Sequence, residues 1–336
     1  MTRVGFATGY DPRMDVLQMA RWVQRAEEQG YELSVFSETI ALMRDSVTAL
    51  SVFSSLTSRV RLATIQVVRL RTPVIMAQTA ASLDELSEGR LTLVLGACTR
   101  SHAERHSLEH LDPVSTLTEW AGAIREILAN APATYKGEVV KLSDIAFGWN
   151  PVRRRIPIWI AATSRTGLRL AAQIGDGVLL NSVASPEYSA NAIRIIRDAL
   201  AEAGRDWESF EVAQIINCSV ENERSAALQA IRWEVASKFD PVQGPFNVGP
   251  RLRVGEPHIR EDDLGTFAEA HRRGGKDGLM AAVPDHYVAN LTASGTPAEA
   301  KDRVQQYRDA GVQLPVLRPG AEHQTQRVLD LFAPNG

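Results

Sequence analysis

The chain has 336 residues, 44% hydrophobic and 23% charged, which supplies a large core and excludes a disordered composition. A formal charge of −3, with basic residues that are nearly all Arg and spread along the chain, gives no overall attraction to nucleic acid or an acidic membrane. Two cysteines, Cys98 and Cys218, exclude a disulfide framework, and neither a leader pattern nor a membrane-length apolar run is present, so a soluble cytoplasmic protein is expected.

In chain order, short β-rich runs alternate with amphipathic helices. A strand over 4–8 leads to a helix over 14–29, with apolar spacing at Leu17, Ala20, Val23 and Ala26 and a C-capping Gly30. Strand 33–37, helix 46–56 and strand 60–67 follow. Pro73 opens a helix over 73–86, and Gly89 precedes strand 91–95. Beyond helix 117–129 and a hairpin around 135–138 come strand 156–161, helix 166–174, strand 177–181 and helix 186–203. Strand 210–218, helix 225–239, helix 297–310, strand 314–317 and helix 324–332 complete the pattern. Eight strands, each followed by helical material, predict one domain over 1–336, a closed (β/α)8 TIM barrel. A doubly wound open sheet is the competing architecture, but no Gly-x-Gly-x-x-Gly follows the first strand. Residues 240–285 break the rhythm. Rich in Gly, Pro and charge, they predict an irregular lid insertion after strand seven, on the catalytic face.

Barrel enzymes carry their chemistry on the loops after the strands. That places Thr8-Gly9-Tyr10, Ser37-Glu38-Thr39, Thr64-Ile65-Gln66, Gly96 to Thr99, Ala161 to Arg165, Asn181-Ser182 and Asn217-Cys218 at the site. Between Ala161 and Gly167, small residues leave a strand and hydroxyls stand at a helix start. This suits a phosphate, although an ordinary N-cap has the same composition. Glu38 is the one carboxylate directly at a strand end, and Gln66 and Asn181 offer neutral donors and acceptors for a heteroaromatic ring. His102, His106 and His110 would share a helix face, but their spacing lacks the His-Glu-x-x-His zinc signature, so no metal is expected. Cys98 and Cys218 read as small buried residues rather than nucleophiles.

Taken together, several segments resemble the luciferase-like superfamily, and within it the methylenetetrahydromethanopterin-reductase-like branch. The resemblance is carried by Ala26-Glu27-Glu28-Gln29-Gly30-Tyr31, Arg71-Thr72-Pro73-Val74-Ile75-Met76-Ala77-Gln78 and, most specifically, Ser82 to Leu91 running into Leu95-Gly96. Ile156 to Ala162, Gly175 to Asn181 and Gly295 to Glu299 extend it over nearly the whole chain except the insertion. It implies a homodimeric barrel holding a reduced deazaflavin, coenzyme F-420, or alternatively FMN. The reaction implied is hydride transfer to an unsaturated small molecule, or an oxygen-dependent monooxygenation with a separate flavin reductase as partner.

The implied cofactor contacts are Ala7, Thr64, Ile65, Gln66, Gly96, Thr99, Ala161, Ala162, Thr163, Ser164, Arg165 and Asn181, with a phosphate cradle over 162–165. The resemblance also implies a non-proline cis peptide within Thr64-Ile65-Gln66. Arg69, Arg71, Arg100, Arg105 or Arg165 would meet an acidic cofactor tail. Many members end strand two with Asp-His, where this chain has Glu38-Thr39. The catalytic set is therefore Glu38, Thr39 and His102, with His258 or His286 of the insertion as further proton donors. The missing His leaves open a non-catalytic flavin-binding protein. A phosphosugar isomerase or lyase is a weaker rival, since no Lys stands at a strand end.

Overall fold

The computed structural model describes residues 3–39, 42–98, 100–109, 111–241 and 245–334, without the side chains of 101, 102 and 245–247. Strand β1 (Gly5–Ala7) leads through α1 (Val16–Glu28) to β2 (Leu33–Ser37), then α2 (Ser46–Leu56), β3 (Arg61–Val67), α3 (Pro73–Leu86) and β4 (Leu91–Gly96). A short α4 (Arg100–Arg105), the long α5 (Pro113–Ala129) and the antiparallel hairpin β5 (Ala133–Lys136) and β6 (Lys141–Ile145) precede β7 (Ile158–Ala162). Next come α6 (Arg165–Ile174), β8 (Gly177–Leu180), α7 (Pro186–Glu202) and β9 (Glu211–Val220). Four helices follow: α8 (Arg224–Ala236), α9 (Pro245–Val254), α10 (Glu261–Ala282) and α11 (Asp285–Leu291). The chain then returns through β10 (Ala293–Gly295), α12 (Pro297–Asp309), β11 (Leu314–Pro319) and α13 (Thr325–Phe332).

Eight strands, β1, β2, β3, β4, β7, β8, β9 and β11, pair in parallel in that order. The β9–β11 and β11–β1 ladders close the ring into the expected (β/α)8 barrel. Helix starts are set by side-chain caps where polar residues precede apolar runs. Asp45 caps α2, Thr72 with Pro73 caps α3, Ser185 with Pro186 caps α7, and a Thr296–Glu299 capping box starts α12.

The lumen is filled from its N-terminal end. Leu33, Val35, Ala63, Val94, Trp159, Leu179, Ala213, Leu314 and Val316 pack there as one cluster. Trp159 lies so close to Gly177 that a Cβ at 177 would stand 2.6 Å from its ring nitrogen. Beneath it, Arg61 stacks on the indole at 5.8 Å and bridges Glu211 (2.9 Å) and Glu32 (2.7 Å). That end is closed, which leaves the C-terminal mouth for ligands.

Two expectations are corrected here. The insertion is helical rather than irregular, carrying α9, α10 and α11. Leu228, Ile231 and Val235 of α8 pack with Val248, Ile259, Phe267, Leu279 and Tyr287 in a separate core that also takes Val183 from the β8–α7 loop. On the barrel, α8 packs against β9 and β10, and α12 against β9, β10 and β11. The Thr64-Ile65-Gln66 peptides are trans, because β3 stays in ladder register with β4 through Val67 and Gly96. Among the described residues the cis bond is Ala131–Pro132. No helix of the described residues is long and apolar enough to cross a membrane.

Candidate active site

Side chains alternate across a strand, so the lumen cluster fixes which residues face the mouth. Ala7, Ile65, Gly96 and Ala161 form an apolar floor of small or thin groups above the filled lumen. Ser37, Asn181, Asn217 and Arg318 share the inward parity and add polar atoms at the rim. Asn217 is almost completely buried, and neither its amide nitrogen nor its oxygen has a partner. Buried amides are nearly always bonded, so this pair of atoms faces a position suited to a polar ligand edge. Asn181 is exposed and turns its oxygen back to the N–H of Ser182 (2.8 Å).

Thr64 and Gln66, expected among the cofactor contacts, fall on the opposite parity to Ile65. Gln66 points to the helix layer, donating to Ser46 Oγ and Thr64 Oγ1 at 2.7 Å each. Its oxygen accepts from Arg71 (2.5 Å), and the same guanidinium binds Glu38 (2.6 Å) and Asp45 (3.1 Å). Glu38 also accepts the N–H of Val67 (3.1 Å). Arg71 is thus the hub of a scaffold around the ends of β2 and β3, with no fork left for a cofactor tail. Glu38 is its partly buried counter-ion, and Thr39 beside it is exposed.

After β7, Ala162 is buried, Thr163 and Ser164 are half-buried and Arg165 is exposed. Ser164 caps α6 by accepting the Gly167 N–H (3.1 Å), and the first turn carries no acidic residue. Tyr188 donates to the Thr163 carbonyl (2.9 Å) and holds the loop from below. Thr99, His110 and the side chain of His102 lie outside the described residues. Helix α4 ends at Arg105, and His106 lies beyond its end. His258 sits between Glu187 (3.3 Å) and Asn290 (3.1 Å), against α7 and α11, and His286 is exposed. Burial raises both cysteine thiols above their ordinary range, which removes the nucleophilic thiolate at neutral pH.

Three further cations were not among the strand-end candidates, although Arg318 directly follows the expected strand 314–317. Arg318 ends β11 and pairs with Glu234 of α8 (3.3 Å). Arg251 of α9 is fully buried and gives one nitrogen to the Ser182 carbonyl (2.8 Å), while Nε and Nη1 have no partner. Lys238, just past α8, is pushed down to about 8, chiefly by burial. Glu234 opposes that shift, and Arg318 and Arg251 add to it. Helix periodicity alone does not report that the excursion folds these residues over the barrel.

The profile of the luciferase-like monooxygenase family matches residues 1–314. The chain belongs to the luciferase-like monooxygenase family. It is therefore an oxidoreductase by family. Among relatives of this luciferase-like chain, the 5,10-methylenetetrahydromethanopterin reductase of Archaeoglobus fulgidus is 26% identical over 311 residues, covering 91% of each chain. The fold superposes on the coenzyme F-420 dependent tetrahydromethanopterin reductase of Methanopyrus kandleri with a TM-score of 0.85 at 21% identity, covering 99% of this chain and 98% of that one. It also superposes on an F-420-dependent secondary alcohol dehydrogenase in complex with an F-420–acetone adduct (TM-score 0.78, 18% identity, 99% and 97% covered).

Proposed function

We propose that this luciferase-like protein binds coenzyme F-420 at the C-terminal mouth and reduces an unsaturated small molecule. The observation that carries the reading is the orphaned Asn217 amide beside a floor of Ala7, Ile65, Gly96 and Ala161. Together they present a flat apolar surface edged by one unspent donor and acceptor. That chemistry fits a planar deazaflavin ring, and the titles of the two superposed structures support the same cofactor. When bound and reduced, the deazaflavin supplies a hydride.

The chain's own groups divide the remaining work. The α6 N-terminus with Ser164 holds the phosphate, using free backbone N–H groups and a positive dipole end. Asn217 and Asn181 orient the ring edge. Glu38 and Arg71 keep the ends of β2 and β3 in place. Helices α8 to α11 form the lid that excludes water. A homodimer fits Leu56, Ile75, Leu86 and Val114, which are exposed on neighbouring α2, α3 and α5, and sedimentation checks it. A cytoplasmic location fits a chain with only two cysteines, both buried.

Parallel fluorescence titration with oxidised and reduced F-420 and FMN tests the assignment. Micromolar F-420 binding, at least tenfold weaker FMN binding and a further tenfold loss of F-420 affinity in Asn217→Ala are expected. Preference for reduced FMN with oxygen-dependent reoxidation would make the protein a monooxygenase instead, and binding of neither would refute the cofactor site.

A further inference from the structure

The basic run Arg153-Arg154-Arg155, just before β7, divides between two tasks. Arg153 turns to Asp84 of α3 (2.9 Å) and belongs to the fold. Arg154 and Arg155 line a surface cavity of about 590 Å³, which also takes the C-terminal ends of α5 and α6 and the approach to β8. The cavity lies at the closed face of the barrel, at the opposite end from the mouth, and its volume is that of a small-molecule site. Its wall carries four arginines, Arg125, Arg154, Arg155 and Arg205, against one carboxylate, Asp176, a local excess of three positive charges in a chain whose formal charge is −3.

The arginines are held in place without being neutralised. Asp176 is shared by Arg125 (3.0 Å) and Arg155 (2.8 Å). The carbonyl of Ile174 accepts from Arg125 (2.7 Å), and those of Ala172 and Gly175 accept from Arg205 (2.6 and 2.8 Å). Capping the end of α6 would need one cation, not four, and each guanidinium keeps N–H donors to spare. Arg154 is exposed and has no hydrogen-bond or ion-pair partner among the described residues. The remaining wall is apolar, made by Leu128, Ile156 and Ile174 and closed by Tyr135 of β5. Tyr135 reaches that place because residue 122, inside α5, is Gly: a Cβ there would stand 2.7 Å from the phenol oxygen. A glycine inside a helix costs about 1 kcal/mol relative to Ala. The half-buried hydroxyl it accommodates has no partner among the described residues, and packing alone asks for neither the glycine nor the hydroxyl.

We propose that this cavity is a second, non-catalytic ligand site, for a nucleoside diphosphate. Guanidinium forks match phosphate oxygens, and an excess of three positive charges suits a diphosphate, with about three negative charges at neutral pH, better than a monocarboxylate. Arg154 and Arg155 meet the phosphates from the rim, Arg125 and Arg205 from the rigid end of α6, and Tyr135 with Leu128 and Ile174 takes the planar base. This site shares no residue with the mouth and does not depend on the cofactor bound there.

Isothermal titration of the full chain with ADP, inorganic pyrophosphate and adenosine tests the site, with Tm and circular dichroism checking that each variant folds. ADP is expected to bind, with pyrophosphate and adenosine each about tenfold weaker, because each keeps only half of the contacts. Arg154→Gln removes an exposed, unpartnered group and should weaken ADP and pyrophosphate alike by about tenfold. Tyr135→Leu should bring ADP down to the level of pyrophosphate and leave pyrophosphate unchanged. Saturating F-420 should leave ADP affinity within about twofold, as two separate sites require. Absence of binding by both ADP and pyrophosphate, affinities unmoved in Arg154→Gln, or competition between ADP and F-420 would overturn the site. Pyrophosphate binding as tightly as ADP to the unaltered protein, or adenosine doing so, would overturn its assignment to a nucleoside diphosphate.

Discussion

Arg71 shows how far one residue can shape a site it does not line. Its guanidinium meets Glu38, Gln66 and Asp45, and its carbonyl accepts the Trp120 indole N–H (3.1 Å), tying α5 to the end of β3. Arg71→Ala leaves a nearly buried Glu38 carboxylate with one backbone donor. A loss of about 2–4 kcal/mol in urea unfolding is expected, because truncating one partner strands the other charge; a change under half a kcal/mol would show the network to be ornamental.

Lys238 makes the opposite prediction. Its folded value near 8 lies below the unfolded value of about 10.4, so the folded state binds fewer protons between those limits. Its penalty is fully present below pH 8 and fades as pH rises toward 10.4. Lys238→Met should therefore exceed wild type in Tm at pH 7.5, with the gap narrowing by pH 10; a gap that stays constant contradicts the assignment. At this scale the sequence revealed which residues stand at strand ends but not which way they face. Thr64 and Ile65 differ only by parity, and parity is settled by the pairing of β3 with β2 and β4.

A recurring device joins the elements: one buried carboxylate gathers the backbone N–H groups of a neighbouring loop. Glu27 of α1 accepts from Ser58, Arg59 and Val60, Glu119 of α5 from Glu138, Val139 and Val140, and Asp84 of α3 from Leu91 together with Arg153. Glu27 and Asp84 lie in the segments that carried the family resemblance, and there they hold loops of the barrel's closed face. Burial alone would raise the Glu27 carboxyl, but its three backbone donors lower it overall. A lowered folded value contributes stability above the unfolded value of about 4.3, lost as pH falls through the folded value. Glu27→Gln should cost about 1.5–3 kcal/mol at pH 7, and the difference from wild type in chemical denaturation should shrink below pH 4.

Helix bounds such as 46–56 and 73–86 were legible because Asp45, Thr72 and Pro73 act locally. Helices α9 and α10 were not. Pro250 sits inside α9, and α10 contains Gly265, Gly274, Gly275 and Gly278, with a kink where Gly275 takes φ 57°. Their helicity comes from the core they share with α8 and α11, and tertiary packing there outweighs local propensity.

On the scale of the whole molecule, the repeat count made the barrel legible, and the break in rhythm marked the excursion without revealing its form. One loop makes several of the ties that hold that excursion to the mouth, beside His258–Glu187 and the bond from Asn191 to the Gly255 carbonyl. Residues 182–185 offer the Ser182 carbonyl to Arg251, Val183 to the second core and the Ser185 N–H to Glu256. The barrel core continues under the ring of helices, whereas α9 to α11 rest on their own smaller core. Local opening is cheapest where such a unit meets its neighbour through few contacts, so α9 to α11 should exchange amide protons before β2 to β4. Glu256→Ala removes the carboxylate that clasps Ser185 and offsets the buried Arg251. Protection in α9 to α11 should then fall about 10–100-fold, in keeping with the loss of a buried charge-assisted bond, while β2 to β4 change little. F-420 should dissociate faster in step with that opening. A uniform loss of protection would mean that the excursion and barrel unfold as one unit, and that the mouth is reached by some route other than lifting α9 to α11.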